Sequence, residues 1–311
     1  ISPEPRSLPR AFLAMIWRST LLRLRDSKTL TVLTFLSILM SIVLSVGFSP
    51  FIQNGYPYEP PLPALLEPWC PNYLDCTRSL SPGLEQLMFF LNVALGTVTM
   101  MGGTTLFSRD ILVVSREGLA GVPTWLQGVA KLCVDFPYTI YYPSVFTAIW
   151  VTLGHPGSAS KWFALNIGLG WASSGIGTAI SLSVAKENAS LVSVVTSMFL
   201  SAFNGLYPPL TSLGGWYWLW ELCYARWAAE ATYALYTEHF VEQGIDIQRG
   251  ADEYGYDISR FSYDIGVLWL LGLAFRVVGV LMLHRRVHGW ELEDQAYEKL
   301  KDWWKQGCNK K

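Results

Sequence analysis

The sequence predicts an all-α membrane protein with six transmembrane helices, and three observations carry that expectation. Of 311 residues, 51% are hydrophobic and only 15% are charged, against about 25% charged in soluble domains. Uncharged runs recur along the chain, several of them close to the ~20 residues that a helix needs to cross ~30 Å of hydrocarbon. Between these runs Lys, Arg, Asp and Glu collect in separate segments. Mean hydropathy is +0.28, and the net charge of −1 implies neither nucleic acid nor an acidic partner.

The elements follow in order. Residues 1–29 hold Arg10, Arg18, Arg23 and Arg25 among Phe12, Leu13, Ile16, Trp17, Leu21 and Leu24. At helical spacing this is a basic amphipathic helix suited to lie in a membrane interface or to pack on another domain. Spans are expected at about 30–48, 84–106, 127–153, 162–184, 191–206 and 261–283, together forming one membrane domain over 30–283. Pro137 and Pro143 are expected to kink the third. The fourth is rich in Gly, Ala and Ser from Gly168 to Gly177, which suits close helix packing in lipid. Lys186–Asn188 reads as a short turn, and 207–260 as a helical external segment with an acidic loop before the last span. Residues 284–311 read as a cytosolic tail with a polar helix.

The segment from Phe107 to Pro137 organises the rest. Arg109, Asp110, Arg116 and Glu117 would each cost roughly 2.5–3.5 kcal/mol at mid-bilayer. They therefore mark a polar helix at a membrane face, ended by Gly118, Gly121 and Pro123. Pattern alone reads this as a cytosolic loop able to touch a water-soluble partner. The Lys/Arg asymmetry places the first helix, the 107–131 loop, Lys186 and Arg285/Arg286 on one side, so that both termini are cytosolic. The sequon at Asn188 then falls on the cytosolic side and should carry no glycan. Ile1 in first position, without a signal-peptide pattern, leads us to expect a longer parent polypeptide.

Chemistry-bearing motifs are sparse. The sequence has no phosphate-binding G-x-x-x-x-G-K-[ST] loop, no H-E-x-x-H helix and no G-x-S-x-G elbow, and we expect no catalytic, cofactor or metal site in this chain. Cys70 and Cys76 are a weak zinc signal, because a structural site needs four ligands; a local disulfide suits them better if their loop is extracellular. Ser173-Ser174 lacks a His or Lys partner at a suitable depth, and His239 lies between Glu238 and Glu242. Arg226 and Glu230 read as an ordinary i,i+4 pair, and Arg276, mid-span, as either paired or reaching toward cytosolic headgroups.

Several stretches together resemble one family. Leu106-Phe107, Arg109-Asp110, Arg116-Glu117, Ala120-Gly121 and Lys131 to Asp135 with Pro137 resemble the transmembrane domain of G-subfamily ABC transporters, the White and pleiotropic-drug-resistance type. Tyr224 to Ala231, running on to Glu238-His239-Phe240, is similar to that family's Tyr-x-Arg-(Tyr/Trp)-x-x-Glu-Ala after the fifth span. Ala172-Ser173-Ser174 and Phe203-Asn204-Gly205-Leu206 add two further likenesses.

The resemblance implies the permease part of an ATP-driven exporter, with ATP and Mg in a nucleotide-binding domain outside this chain and a second half-transporter, identical or different, as dimer partner. Arg109, Asp110, Arg116 and Glu117 would form the coupling element. Leu95 and Val98 of the second span, with Val194 and Met198 of the fifth, would line a substrate cavity, and Leu206 and Tyr207 a plug above it. The long 49–83 loop, Tyr207 and a non-aromatic Val98 depart from the drug-exporting pattern. That leaves lipids, sterols and other amphiphiles open as substrates beside xenobiotics. Rival expectations are a permease subunit with a separate ATPase, a membrane enzyme, and a non-transporting scaffold.

Overall fold

The computed structural model describes residues 8–48, 82–108, 111–119, 121–155, 157–206, 208–241, 251–252 and 254–308, with side chains as far as Val287. The described residues contain helices and no strand. In chain order these are α1 (Leu8–Arg25), α2 (Ser27–Gly47), α3 (Pro82–Ser108), α4 (Ile111–Leu119), α5 (Thr124–Thr152) and α6 (Ala159–Ser183). They are followed by α7 (Lys186–Ala202), α8 (Tyr217–Glu221), α9 (Tyr224–Val241) and α10 (Phe261–Cys308).

Three of the described helices are long and apolar enough to cross a membrane: Ser27–Gly47, Gln86–Phe107 and Ile258–Val287. The other helices at expected span positions differ for visible reasons. Tyr, Pro and Thr dilute α5, Gly, Ser and Thr dilute α6, and α7 has only 17 residues. Their polar atoms are tied back into the helices, as where Thr147 Oγ1 donates to the carbonyl of Pro143 and Ser193 Oγ to that of Ala189.

The core lies where α3, α6 and α9 meet, with Leu87, Leu91, Leu95, Trp162, Leu165, Leu169 and Tyr224 fully or nearly fully buried. Small residues let the backbones touch. A Cβ on Gly177 would stand 2.2 Å from the carbonyl oxygen of Met100, and one on Gly103 would stand 2.4 Å from that of Ser174. The glycine-rich fourth segment is thus the face on which α3 packs.

Sequence and structure diverge at two joints. Lys186-Glu187-Asn188 is the first turn of α7, not a loop; the break falls at Val184 and Ala185, and Glu187 suits the positive end of the helix. At the second, α10 passes His284 without interruption and runs to Cys308.

Candidate functional site

The polar helix α4 is held by its apolar side. Val114 is buried with Leu106 and Phe107 from the end of α3 and Leu283 and Val287 from α10. Gly118 lies so close to α10 that an added Cβ would stand 2.8 Å from Val287. The helix then stops on a left-handed cap: Gly121 has φ 89°, its N–H donates to Gly118, and that of Val122 donates to Glu117. Pro123 leads into α5. This leaves Arg116 exposed and Glu117 half-buried, and Glu117 accepts a hydrogen bond from the Arg18 guanidinium of α1.

A second arginine of α1 reaches deeper. Arg23 Nη2 lies 3.0 Å from Asp135 Oδ1 on α5 and donates at 3.2 Å to the carbonyl of Gly102 on α3; Nη1 donates to Thr105 Oγ1. Its guanidinium also lies 5.2 Å from the centre of the Tyr138 ring. Beside it, buried Lys131 donates at 3.3 Å to the carbonyl of Leu106 and sits over the Phe107 ring. A buried ion pair offsets its desolvation only with good geometry and extra hydrogen bonds, and the Asp135 carboxylate has both, with Thr139 Oγ1 as a further donor. One guanidinium therefore ties α1 to two long helices at once.

At the opposite end, Arg226 and Glu230 of α9 are only 4% and 3% exposed, at 3.4 Å. They are the i,i+4 pair read from spacing, and they are buried within a wider framework. The Tyr217 hydroxyl accepts from Arg226 at 2.7 Å, and the Arg226 guanidinium stacks 3.8 Å from the Trp227 ring. Glu230 accepts the N–H of Asp257 at 2.7 Å; burial holds its carboxyl above the usual range, opposed by that bond and by Arg226. Asp264, in the first turn of α10, is fully buried with neither carboxylate oxygen hydrogen-bonded among the described residues.

Arg276 does not reach toward headgroups. It is 4% exposed, with Nη1 donating to the carbonyls of Trp171 at 2.6 Å and Gly272 at 3.0 Å and Nη2 donating to Ser174 Oγ at 2.6 Å. The guanidinium lies 3.4 Å from the centre of the Trp171 ring. Ser173 Oγ donates back to Leu169 and meets Thr99 Oγ1 on α3. The two serines are thus engaged in helix packing. No cluster of three metal-ligating side chains occurs among the described residues.

Comparison with known proteins decides the family. The model of the ABC-2 type transporter family matches residues 10–236, more than two thirds of the chain. The chain belongs to the ABC-2 type transporter family. It is 26% identical over 158 residues, 50% of the chain and 21% of the relative, to an ABC-type transporter, claG, of Penicillium crustosum. It is 24% identical over 193 residues, 61% of the chain and 19% of the relative, to ABC transporter G family member 25 of Oryza sativa subsp. japonica. The matched segments therefore span about a fifth of those relatives.

Within this ABC-2 membrane chain the expected site residues separate. Glu117 meets α1 through Arg18, whereas Arg116 faces outward and Arg109 and Asp110 lie outside the described residues. Leu95 and Val98 are fully buried, Leu95 in the main core and Val98 against Leu33 and Tyr142. Val194 is half-buried and Met198 is 53% exposed, so the packing within one chain does not bring these four around a cavity. Side chains of α3 are consumed by contacts with α6, α7, α5 and α2, and Ser197 Oγ of α7 donates to the carbonyl of Val93. Leu206 is buried in a turn where its N–H donates to Asn204 Oδ1 at 3.0 Å. Tyr207, Cys70, Cys76, Glu242 and the His239 side chain lie outside the described residues. Sequence reasoning missed the pairing of Arg23 with Asp135, although it singled out both segments; the i,i+4 spacing of Lys131 and Asp135 on an otherwise apolar helix was the available signal.

Proposed function

We propose that this chain is the transmembrane permease domain of an ATP-driven G-type ABC exporter that moves an apolar or amphipathic molecule, lipid, sterol or xenobiotic, across a membrane. In this reading α2, α3, α5, α6, α7 and α10 are six spans, both termini are cytosolic, and α1 and α4 face a nucleotide-binding domain that supplies ATP and Mg. A second half-transporter completes the assembly. The exposed apolar stripe Leu191, Val195, Met198 and Phe199 on α7 would face it, so that a shared cavity forms between two copies rather than inside one.

The observation that carries this reading is the double tie of α1. Arg18 holds the polar helix through Glu117, and Arg23 holds α3 and α5 through Thr105, Gly102 and Asp135. Charge-assisted bonds of this kind let packed elements move together as a rigid unit. A push on α4 would thereby reach the ends of two long helices. The test is Glu117→Ala in the full-length protein. We expect normal folding and membrane delivery with loss of substrate-stimulated ATPase and transport; unchanged stimulation would remove Glu117 from the coupling path.

A further inference from the structure

A lateral groove of about 630 Å³ runs between α5 and α10, walled by Val129, Cys133 and Phe136 on one side and Val277 and Leu281 on the other. Its floor is Trp171 of α6, edge-on to Phe136 at 5.5 Å. The Arg276 guanidinium beneath is already committed to carbonyls and to Ser174, so the lining is almost wholly apolar. The wall from Val129 to Phe136 is about 12 Å long at 1.5 Å per residue.

One end of this groove is chemically different. Trp125 stands one turn before Val129 and Arg285 one turn beyond Leu281, which puts each on the same face as the groove wall. Both are exposed. The two helix ends are adjacent, since Thr124 Oγ1 and His284 Nδ1 are 2.9 Å apart. An apolar slot flanked at one end by an indole and an exposed guanidinium matches a molecule with a hydrocarbon tail and an anionic head.

We propose that this groove is a binding site for an anionic phospholipid, with one acyl chain between α5 and α10 and the headgroup phosphate at Arg285 beside Trp125. The site lies on a lateral surface formed by one chain alone. It rests on α5 and α10 being membrane-spanning and does not depend on the transport reading.

The test uses the full-length protein in nanodiscs of phosphatidylcholine and phosphatidylglycerol, either lipid carrying a diazirine in mid-chain. Photolabelled peptides are then mapped by mass spectrometry. We expect phosphatidylglycerol to label residues 129–136 and 273–281 above the exposed α2 stripe of Val32, Phe35 and Val43. Val277→Trp should abolish that labelling by filling the slot. Arg285→Gln, at an exposed position, should leave the fold intact and lower the preference for phosphatidylglycerol over phosphatidylcholine by about fivefold. Labelling no stronger than on α2, or equal labelling by the two lipids, would overturn the proposal while leaving the membrane-spanning reading standing. Labelling of α2 with none on α5 or α10 would overturn both. A Cys133–Cys133 cross-link between copies would assign the groove to a second chain instead.

Discussion

Arg23 and Asp135, 112 residues apart in sequence, meet at 3.0 Å with side chains 12% and 4% exposed. That contact fixes the amphipathic first helix against the entry of α5. Arg23 also serves Gly102 and Thr105, and losing it leaves the buried Asp135 carboxylate without its counter-charge. Arg23→Ala should therefore cost about 3–5 kcal/mol, read as a lower midpoint of thermal unfolding in detergent. The double variant Arg23→Ala/Asp135→Ala should be less damaged than Arg23→Ala alone, since it leaves no unpaired charge.

The Arg18–Glu117 contact is of another kind. Its side chains are 42% and 31% exposed, so its stability contribution belongs in the range of about 0–1 kcal/mol. Arg18→Ala should leave the unfolding midpoint nearly unchanged while weakening the coupling of ATPase to substrate. The exchanged pair Arg18→Glu/Glu117→Arg should restore part of that coupling. A large drop in stability for Arg18→Ala would assign the pair a structural role instead.

Gly177 and Gly103 face each other's helices across a close backbone contact in the core, with added Cβ atoms meeting backbone at 2.2 and 2.4 Å. Backbone cannot yield as a side-chain tip can. Gly177→Ala should thus destabilise by roughly 1–3 kcal/mol through overpacking, whereas Gly47→Ala, with nothing within 4 Å of its Cβ, should not. Unfolding midpoints of the two variants provide the comparison.

His155, in the turn after α5, stacks on Trp150 at 3.4 Å and lies 3.2 Å from Ser45 Oγ of α2. Burial pushes its pKa from 6.5 down to about 3. The folded state therefore favours the neutral ring, and protons bind more readily when this corner opens. Its stabilisation is complete above about pH 6.5 and declines as pH falls from there toward about 3. Hydrogen exchange around 150–158 should accelerate over that interval, and His155→Phe should remove the acid dependence.

The helices were legible from composition and from runs of uncharged residues, because hydrocarbon length and backbone hydrogen bonding leave few alternatives for such sequences. Leu106-Phe107, Arg116-Glu117 and Gly121-Pro123 placed the polar helix and its end correctly, as the φ of 89° at Gly121 and the fit of Val114 against Val287 explain. Pairings across long sequence separations were not legible. Nothing local distinguishes Arg23 from Arg25, yet only Arg23 falls on the side of α1 that meets α5. Spacing also described Arg226 and Glu230 correctly as an i,i+4 pair while missing their burial, which comes from Tyr217, Trp227 and Asp257 closing over them. Val98 looked available on α3 because a lone helix shows every face; α2 and α5 cover it.

The most direct measurement of the central claim is ATPase activity of the full-length protein in lipid nanodiscs, challenged with sterols, phospholipids and planar drugs, beside its Glu117→Ala variant. The proposed function predicts ATPase stimulation by one of these classes and loss of that stimulation in Glu117→Ala at unchanged folding. An ATPase that no apolar or amphipathic compound stimulates, or one whose stimulation survives Glu117→Ala intact, would contradict it.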